Sequence, residues 1–533
     1  ITPVPPQLAE AGLQILKGTG PADPSFNEFM PLFNRNRFAL QASGVTGENN
    51  TLGDETILSG VWGKGSYSIG RFHYKTDGFR KNNDLKQEIY NAFIQARINH
   101  KTSVQAEFRN TKTENGDLGL RFDPAFSNDL HEEQRVKILR LGFKHTFSPR
   151  SDFVGSFSYQ DLDHDKNDHL PSFGPEGANY DAQKRWDGYT FELQYLFKSA
   201  GFNLTSGIGH IEQDFKDKII TDFLPWVVIS PPLPPIKIDL PPVISYYEND
   251  VFRRTNIYTY SQINLCPELT LTAGLSADFL ERGEQVERDQ LNPKIGLTWQ
   301  LFPATTIRMA AFRELSSWED MDQTIEPTQV AGFNQFYDDK NGTDSWRYGA
   351  AVDHKFSLDI FGGIEYAERK LKVPLLMDPD TSASRFDWKE EFGRGYLYWA
   401  LNPLLALSSE YQYERFDSKN DELRTGILDA KTHRIPLGVY FFHPSGITAR
   451  FKGTYFRQTG KFKRHNSDDV FYGKDSFWVF DTAVSYRLPR RFGLLRIGIK
   501  NLFDKKFNFQ DTDPLNPMII PERIIFAKLS LTF

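Results

Sequence analysis

A single cysteine, Cys266, stands among 533 residues. It can carry no disulfide framework, iron–sulfur centre or covalent c-type haem. The sequence also lacks any apolar run near the roughly 18 residues that a membrane-crossing helix requires, so a helical membrane protein is excluded. Neither sign of charge dominates: 63 Lys and Arg face 69 Asp and Glu, a formal net charge of -6, and nothing points to nucleic acid. A soluble chain of this length is expected to break into several domains, yet no charge run, Ser/Gly linker or compositional break divides it. One kind of membrane protein survives these exclusions, because a β-barrel shows itself only by alternation within segments of about ten residues.

Alternation is what the chain has in abundance. In Glu522 to Phe533, the residues Ile525, Ala527, Leu529, Leu531 and Phe533 share one parity, and Lys528, Ser530 and Thr532 the other. Strand side chains alternate faces, so this is a strand with one apolar and one polar side. It ends on an aromatic, and so resembles the C-terminal insertion signal of bacterial outer-membrane proteins. The same contrast runs through 186–198, where Tyr189, Phe191, Leu193, Tyr195 and Phe197 oppose Thr190, Glu192, Gln194 and Lys198, and through 404–416 and 446–458. From Phe38 onward about 22 such strands are legible, an even number within the barrel range.

The connections keep a rhythm of their own. Tight turns fall at Gly63 to Gly65, Asn99 to Lys101, Ser148 to Ser151, Ser199 to Gly201, Cys266 to Glu268, Phe302 to Ala304, Ser357 to Asp359, Asn402-Pro403, His443 to Gly446 and Pro489 to Arg491. Between them come longer stretches, 113–134, 161–185, 214–253, 314–344, 417–429, 459–475 and 504–521 among them. The fold expected is all-β: a transmembrane antiparallel up-and-down barrel over 38–533 with short periplasmic turns, long extracellular loops and a periplasmic C-terminus. Residues 1–37 differ, with Pro3, Pro5 and Pro6 before a short helical stretch, Gln7 to Lys17, and Gly18, Gly20, Pro21 and Pro24 after it. They are expected to form a periplasmic leader or linker.

Arg or Lys facing lipid near the midplane costs roughly 2–4 kcal/mol, so the polar parity must look into a wet lumen. The lining candidates are Arg140, Lys144, Glu192, Gln194, Glu410, Gln412, Glu414, Arg450, Lys452, Arg496 and Lys500. Their mixed signs argue against a strongly charge-selective pore. Stretch 214–253 joins apolar Trp226 to a proline-rich run that includes Pro231 and Pro234; it either packs over the mouth or meets another molecule. Stretch 314–344, with Trp318, Phe333, Phe336 and Tyr337, either folds inward as a constriction or packs on its neighbours. Asp161, Asp163, Asp165 and Asp168 alternate like calcium-loop ligands, yet Lys166 takes the place of the sharp-turn glycine and Ser172 that of the bidentate glutamate. A solvated acidic loop is the favoured reading and a loop-bound Ca2+ the alternative; no other cofactor is expected. Carboxylates and histidines form no catalytic constellation, so no enzyme activity is expected.

Three motifs add a resemblance. Asn292-Pro293-Lys294-Ile295-Gly296-Leu297-Thr298-Trp299, followed by Thr305 to Phe312, is similar to paired strands in the barrels of TonB-dependent receptors. Ile325-Glu326-Pro327 and Trp346-Arg347-Tyr348-Gly349 resemble that family's proline–glutamate segment and the strand after it, with the order Glu-Pro here. Ile499 to Phe507 resembles its penultimate-strand signature. These motifs cover roughly 290–533, while 38–290 shares only the strand rhythm. The resemblance implies a barrel of 22 strands in the outer membrane. It also implies a plug inside the barrel and a segment that engages the energy-coupling protein, and no stretch here resembles either. Barrels that follow periplasmic tetratricopeptide repeats are similar in that respect. The function expected is a channel or conduit without its own plug that passes or exports a solute or polymer. The alternatives are an uptake receptor whose plug is missing from this chain, and a barrel anchor displaying its loops for a surface assembly. Expected partners are outer-membrane lipid and lipopolysaccharide, the barrel-insertion machinery, and a periplasmic or surface protein.

Overall fold

Each wall strand pairs antiparallel with the next, and the last, Ile524–Thr532, pairs with the first, Arg37–Gly47, so a sheet of 22 strands closes on itself. Closure removes every edge, which is what a sheet in hydrocarbon requires, since each unsatisfied amide or carbonyl there costs several kcal/mol. The computed structural model describes residues 37–170, 176–228, 236–282, 286–316, 324–337, 339–375, 384–418, 426–464, 469–511 and 518–532. Arg37 opens the first strand, so the leader expected at 1–37 otherwise lies outside the described residues, as does Phe533.

The seam is fastened by backbone and side chains together. Ala39 pairs with Thr532 and Gly47 with Ile524. Just past the ladder, Asn49 Nδ2 donates to Glu522 Oε1 at 2.5 Å, Thr51 Oγ1 donates to Glu522 Oε2 at 3.2 Å, and Arg523 meets Glu48 at 2.5 Å. Around the wall, one parity carries exposed apolar side chains such as Ile94, Leu141, Ile257, Ile295, Ile364 and Ile497. The other parity carries the charged and amide side chains, many of them buried. A soluble sheet would cover its apolar face; here that face is the outside of a closed ring, the arrangement lipid stabilises.

All ten expected tight turns separate strands at one end of the barrel. At the other end the strands run on further than alternation alone indicates. Strands Ser151–Leu170, Ala178–Lys198, Phe202–Phe223 and Val243–Cys266 have 20, 21, 22 and 24 residues, against the roughly 9–11 that cross a bilayer. Strand therefore runs to Leu170 and resumes at Ala178 within the expected loop 161–185, and runs to Phe223 and resumes at Val243 within 214–253. The physical reason is that beyond the lipid both faces meet water, so apolar alternation stops while the ladder continues. Outward positions after Phe157 and Tyr159 turn acidic at Asp161, Asp163 and Asp165. Cross-strand cations hold them: Lys137 lies 3.4 Å from Asp161, and Arg185 lies 2.9 Å from Asp163 and 3.0 Å from Asp165.

Ile364 sits on the lipid-facing parity, paired with Val352 and Gly395, and is 66% exposed. Ile364→Arg is expected to destabilise the barrel by about 2–4 kcal/mol, and Ile364→Val by less than about 1 kcal/mol, in reversible unfolding from phospholipid vesicles. Equal stability of the two variants would show that this belt does not face lipid.

Candidate functional site

The polar parity encloses a lumen whose charges are mostly matched. Arg140 Nη1 donates to Glu107 Oε2 at 2.9 Å, Arg394 Nε donates to Glu410 Oε2 at 3.2 Å, and Arg254 Nη2 donates to Asp278 Oδ1 at 2.7 Å. Fully buried Arg308 spans Asp353 at 3.1 Å and Glu365 at 2.8 Å. Ions in such surroundings are tolerated only when paired and hydrogen-bonded. Gln412 donates to Glu410 at 2.8 Å and accepts from Arg434 at 2.5 Å, while Glu414 stands 3.9 Å from Arg434. Lys144 lies 3.6 Å from Asp152 near the tight-turn end. Arg450, Lys452, Arg496 and Lys500 share the inward parity, opposite exposed Phe451 and Ile497.

Glu192 and Gln194 belong to a different arrangement, because a segment of chain folds inward onto them. Thr324 Oγ1 and the Ile325 amide donate to the two oxygens of Glu192 at 2.7 and 2.5 Å. Gln194 Nε2 donates to the Ile325 carbonyl at 2.5 Å. Glu326, buried, accepts from Asn256 at 2.9 Å and from Tyr260 Oη at 2.6 Å. Lys294 Nζ donates to Gln335 Oε1 at 2.6 Å, and the Phe336 amide donates to Glu314 Oε2 at 3.1 Å. Phe336 lies under the guanidinium groups of Arg347 and Arg369, at 4.7 and 4.9 Å, and the Tyr337 hydroxyl reaches the Pro327 carbonyl at 3.4 Å.

At the centre of this segment is a small hairpin, Gln329–Val330 paired with Phe333–Asn334 through Ala331 and Gly332, both at positive φ. Its tip enters the wall where the wall has no side chain. A Cβ on Gly296 would lie 2.8 Å from Ala331 Cβ, and one on Gly349 would lie 2.4 Å from the Phe333 ring. Val330 and Phe333 are completely buried there with Tyr258, Tyr260, Ala310 and Phe312. Of stretch 314–344, residues 324–337 lie against inward side chains of the wall, while Trp318 lies outside the described residues.

A second inward group packs against the wall near its last strands. Leu120, Phe509 and Ile519 come from connecting segments and bury against Phe456, Phe477 and Val479 of the wall, with Phe507 stacked on Phe477 at 4.2 Å. The Asp511 amide donates to the Leu120 carbonyl at 2.8 Å, joining the two segments. Asn501 turns the chain inward: at φ 46, a left-handed conformation that Asn tolerates, it accepts the Lys505 amide at 2.8 Å and donates to the Pro521 carbonyl at 3.2 Å. The 116–130 segment is organised by Asp117, which accepts from the Gly119 and Ser127 amides at 3.0 and 2.9 Å and from Arg121 at 2.6 Å and Arg80 at 3.2 Å. Phe126 lies 3.5 Å beneath the Arg80 guanidinium. Burial pushes the Asp117 carboxyl up, but Arg121, the Ser127 amide, Arg80 and the Gly119 amide together hold it below the usual carboxylate range.

The model of the family "TonB dependent receptor-like, beta-barrel" matches residues 62–341, more than half of the chain. The chain belongs to that family. Solved barrels agree in fold: the copper transporter OprC, at 13% identity and a TM-score of 0.67, is matched over 95% of this chain and 81% of that one. A variant of the ferric enterobactin receptor PfeA from Pseudomonas aeruginosa is matched at 14% identity and TM-score 0.66, over 94% and 80% of the two chains. The siderophore receptor PiuA from Acinetobacter baumannii gives 12%, 0.64, 94% and 82%. No curated protein matches in sequence. The family model thus covers mainly the half of the chain that shared only the strand rhythm, together with the paired strands around Asn292 to Phe312.

Within this TonB-dependent receptor-like barrel, several candidates are not brought to the lumen. Asp161, Asp163 and Asp165 sit on a continuous strand, outward, each against a lysine or arginine, so the calcium-loop geometry is not formed there. Among the described residues no group of three or more His, Cys, Asp or Glu could hold a metal ion. The backbone of Trp226–Val228 pairs with Ile236–Ile238, while Pro231 and Pro234 lie outside the described residues. What sequence reasoning missed were Gly296, Gly349, Lys294 and Tyr260 as docking partners of one segment. The available signal was a glycine on the inward parity of a wall otherwise lined by long side chains.

Two outcomes follow. Gly349→Leu forces side-chain atoms into the Phe333 ring and is expected to cost the docked state about 1–3 kcal/mol, so proteolysis within 324–337 accelerates while the barrel stays folded. Unchanged cleavage would show that the hairpin does not depend on this niche. The Asp117 carboxyl is depressed, so its contribution is present above the ordinary Asp range near 3.9 and is lost as pH falls through its lower folded value. A spin label at Asp129 should therefore stay immobile at neutral pH and gain mobility below about pH 4, and Asp117→Asn should be mobile throughout.

Proposed function

We propose that the barrel is a gated conduit that carries a solute or polymer across the outer membrane through its lumen. In this reading the inward segments 324–337, 116–130, 501–511 and 518–523 are the gate. The single observation that carries it is the glycine niche at Gly296 and Gly349, which seats Phe333 and Ala331 inside a wall of matched charges. Contacts from Glu192, Asn256, Tyr260 and Lys294 hold the segment by polar groups that water or a polar solute can replace. A barrel serving only as an anchor for surface loops gains nothing from a polar lumen with a seat for its own chain. We assign the tight turns and the C-terminus to the periplasm and the long-loop end to the exterior, with lipopolysaccharide and outer-leaflet lipid around the wall and a periplasmic or surface protein as partner.

Family membership supports a second reading, energised uptake: OprC is named a copper transporter, and PfeA and PiuA are named siderophore receptors. The two differ in whether movement of solute requires coupling to an energised inner membrane. No enzymatic role is proposed, and the conduit needs no cofactor.

Planar-bilayer recording tests the conduit. The native barrel is expected to open in brief steps, and Gly349→Leu combined with Gly296→Val to dwell open at least about tenfold longer, because each substitution shifts docking by about 1–3 kcal/mol. Silence of both proteins would sink the conduit and leave the anchor or the energised receptor. Orientation is testable with the exposed cysteine at the tight-turn end, Cys266: a membrane-impermeant maleimide should label it only after the outer membrane is permeabilised.

A further inference from the structure

The ten tight turns share one end of the barrel but not one charge. Counted from the last residue of one strand to the first of the next, five of them carry exposed Lys64, Arg97, Lys101, Arg150, Lys198, Arg487 and Arg490 and no carboxylate. The other five carry exposed Lys355 against exposed Glu268 and Asp359. Acidic residues outnumber basic ones in the whole chain, 69 to 63, so the composition does not account for a rim that is basic over half its turns.

Pairing makes the five basic turns neighbours. Val470–Arg487 and Gly493–Lys500 lead through the seam strands Ile524–Thr532 and Arg37–Gly47 to Leu52–Trp62, and the ladder continues unbroken to Phe202–Phe223. With strands roughly 4.8 Å apart, the arc runs on the order of 50 Å along the rim. Among the described residues its seven side chains enter no ion pair, and the nearest carboxylate in sequence, Asp152, accepts from Thr146 Oγ1 at 2.5 Å and stands 3.6 Å from Lys144. Adjacent turns lie about 10 Å apart, near the Debye length of about 8 Å, so water and salt keep these cations from repelling one another strongly. The outward parity beside them is apolar at Trp62, Ile98 and Phe147, and the same belt continues past the other half of the rim at Phe356 and Phe441. Arg97, Lys198 and Arg487 take the opposite parity, that of Gln95, Gln194 and Ser485, which sets them toward the mouth of the barrel.

We propose that this arc docks the acidic face of a protein on the tight-turn side of the barrel. A small solute is too short for it, since its charged groups meet one or two turns at most. Lipid headgroups are the other anions at this level, but lipid surrounds the whole ring, whereas the cations occupy one side of it and three of them stand on the parity turned away from lipid. A protein face is long enough, is one-sided, and reaches the mouth. Complementary charge spread over such a surface steers encounter and fixes orientation more than it adds affinity, so its effect here is to align the partner over the opening. The inference rests on the reading that gives the barrel a partner at this end, and it does not depend on conductance.

The test uses the folded barrel in uncharged dodecyl maltoside micelles, with fluorescent poly-L-glutamate as the acidic probe. Binding is expected to weaken with added salt and to fall at least about tenfold in Lys64→Gln/Lys101→Gln/Arg150→Gln/Arg490→Gln, each removed charge weakening the Coulomb attraction. Lys355→Gln, on the other half of the rim, should leave it unchanged. If the quadruple variant fails to fold, judged by heat-modifiable electrophoretic mobility, cross-linking on otherwise native barrels decides. A p-benzoylphenylalanine in place of exposed His100, beside Lys101, should capture poly-L-glutamate, and one in place of exposed Leu404, on a turn without charge, should not. Binding that the folded quadruple variant leaves unchanged, or equal capture from both positions, would overturn the arc whatever the conductance. Phosphatidylglycerol retained through purification by the native barrel and lost from the quadruple variant, without poly-L-glutamate binding, would overturn it in favour of lipid. Probe binding that meets these expectations in a barrel without conductance would overturn the conduit and leave the arc standing.

Discussion

Everything in this barrel depends on one constraint: a backbone amide or carbonyl facing hydrocarbon must find a partner within the protein. A sheet meets it only by closing, and closure here runs through a single seam between residues 37–47 and 524–532, which meet from opposite ends of the described chain. The side chains at the seam follow the same logic. Glu522 is shared by Asn49 and Thr51 at the end of the ladder, where backbone pairing has run out. Once closed, the ring divides its residues into an outside that lipid solvates and an inside that it cannot. The inside must then solve a second problem, the burial of many charges.

The wall solves it locally wherever register permits. Cross-strand neighbours lie about 4.5–5.5 Å apart, near enough for Arg140 and Glu107 or Arg254 and Asp278 to meet directly. Where the wall's own register leaves polar groups in need, connecting chain is drawn in. Glu192 receives an amide and a hydroxyl from 324–325, Glu314 receives the Phe336 amide, and Lys294 donates to Gln335. The inward segment is therefore part of the hydrogen-bond accounting of the wall, and the glycines at 296 and 349 supply the room. This explains why the family-like motifs Asn292 to Gly296, Ile325 to Pro327 and Trp346 to Gly349 act together although they lie apart in sequence. They are the two walls and the occupant of one niche.

The fold was largely legible because lipid writes a period of two into every segment it touches. Ten tight turns and 22 strands were readable from parity and from the residues between apolar runs. The strand extensions were not, since outside the lipid Asp161, Asp163 and Asp165 alternate with polar residues and look like a loop. Their pairing with Lys137 and Arg185 depends on neighbours in register, which no local pattern records. The candidate site was legible in composition and illegible in contact. Parity identified Glu192, Gln194 and Glu410 as inward, and aromatic content drew attention to Phe333, Phe336 and Tyr337. That Glu192 would serve the 324–325 backbone, some 130 residues away, follows only from the closed ring.

Charge sorting within the lumen shows the same limit from another side. Counting Arg450, Lys452, Arg496 and Lys500 together with Glu192, Glu410 and Glu414 suggests neutrality, because a count carries no positions. Register instead sets Glu410 toward Arg394 and Glu414 toward Arg434, while Glu192 takes the Thr324 hydroxyl and the Ile325 amide. Closing the barrel also sets the charges at the seam in register: Lys528 on the final strand pairs with Arg496 on one side and with Ser43 on the other, and Ser43 in turn pairs with Glu55. The pairing that closes the wall and the juxtaposition of Lys528 with Glu55 across Ser43 thus arise from the same strand.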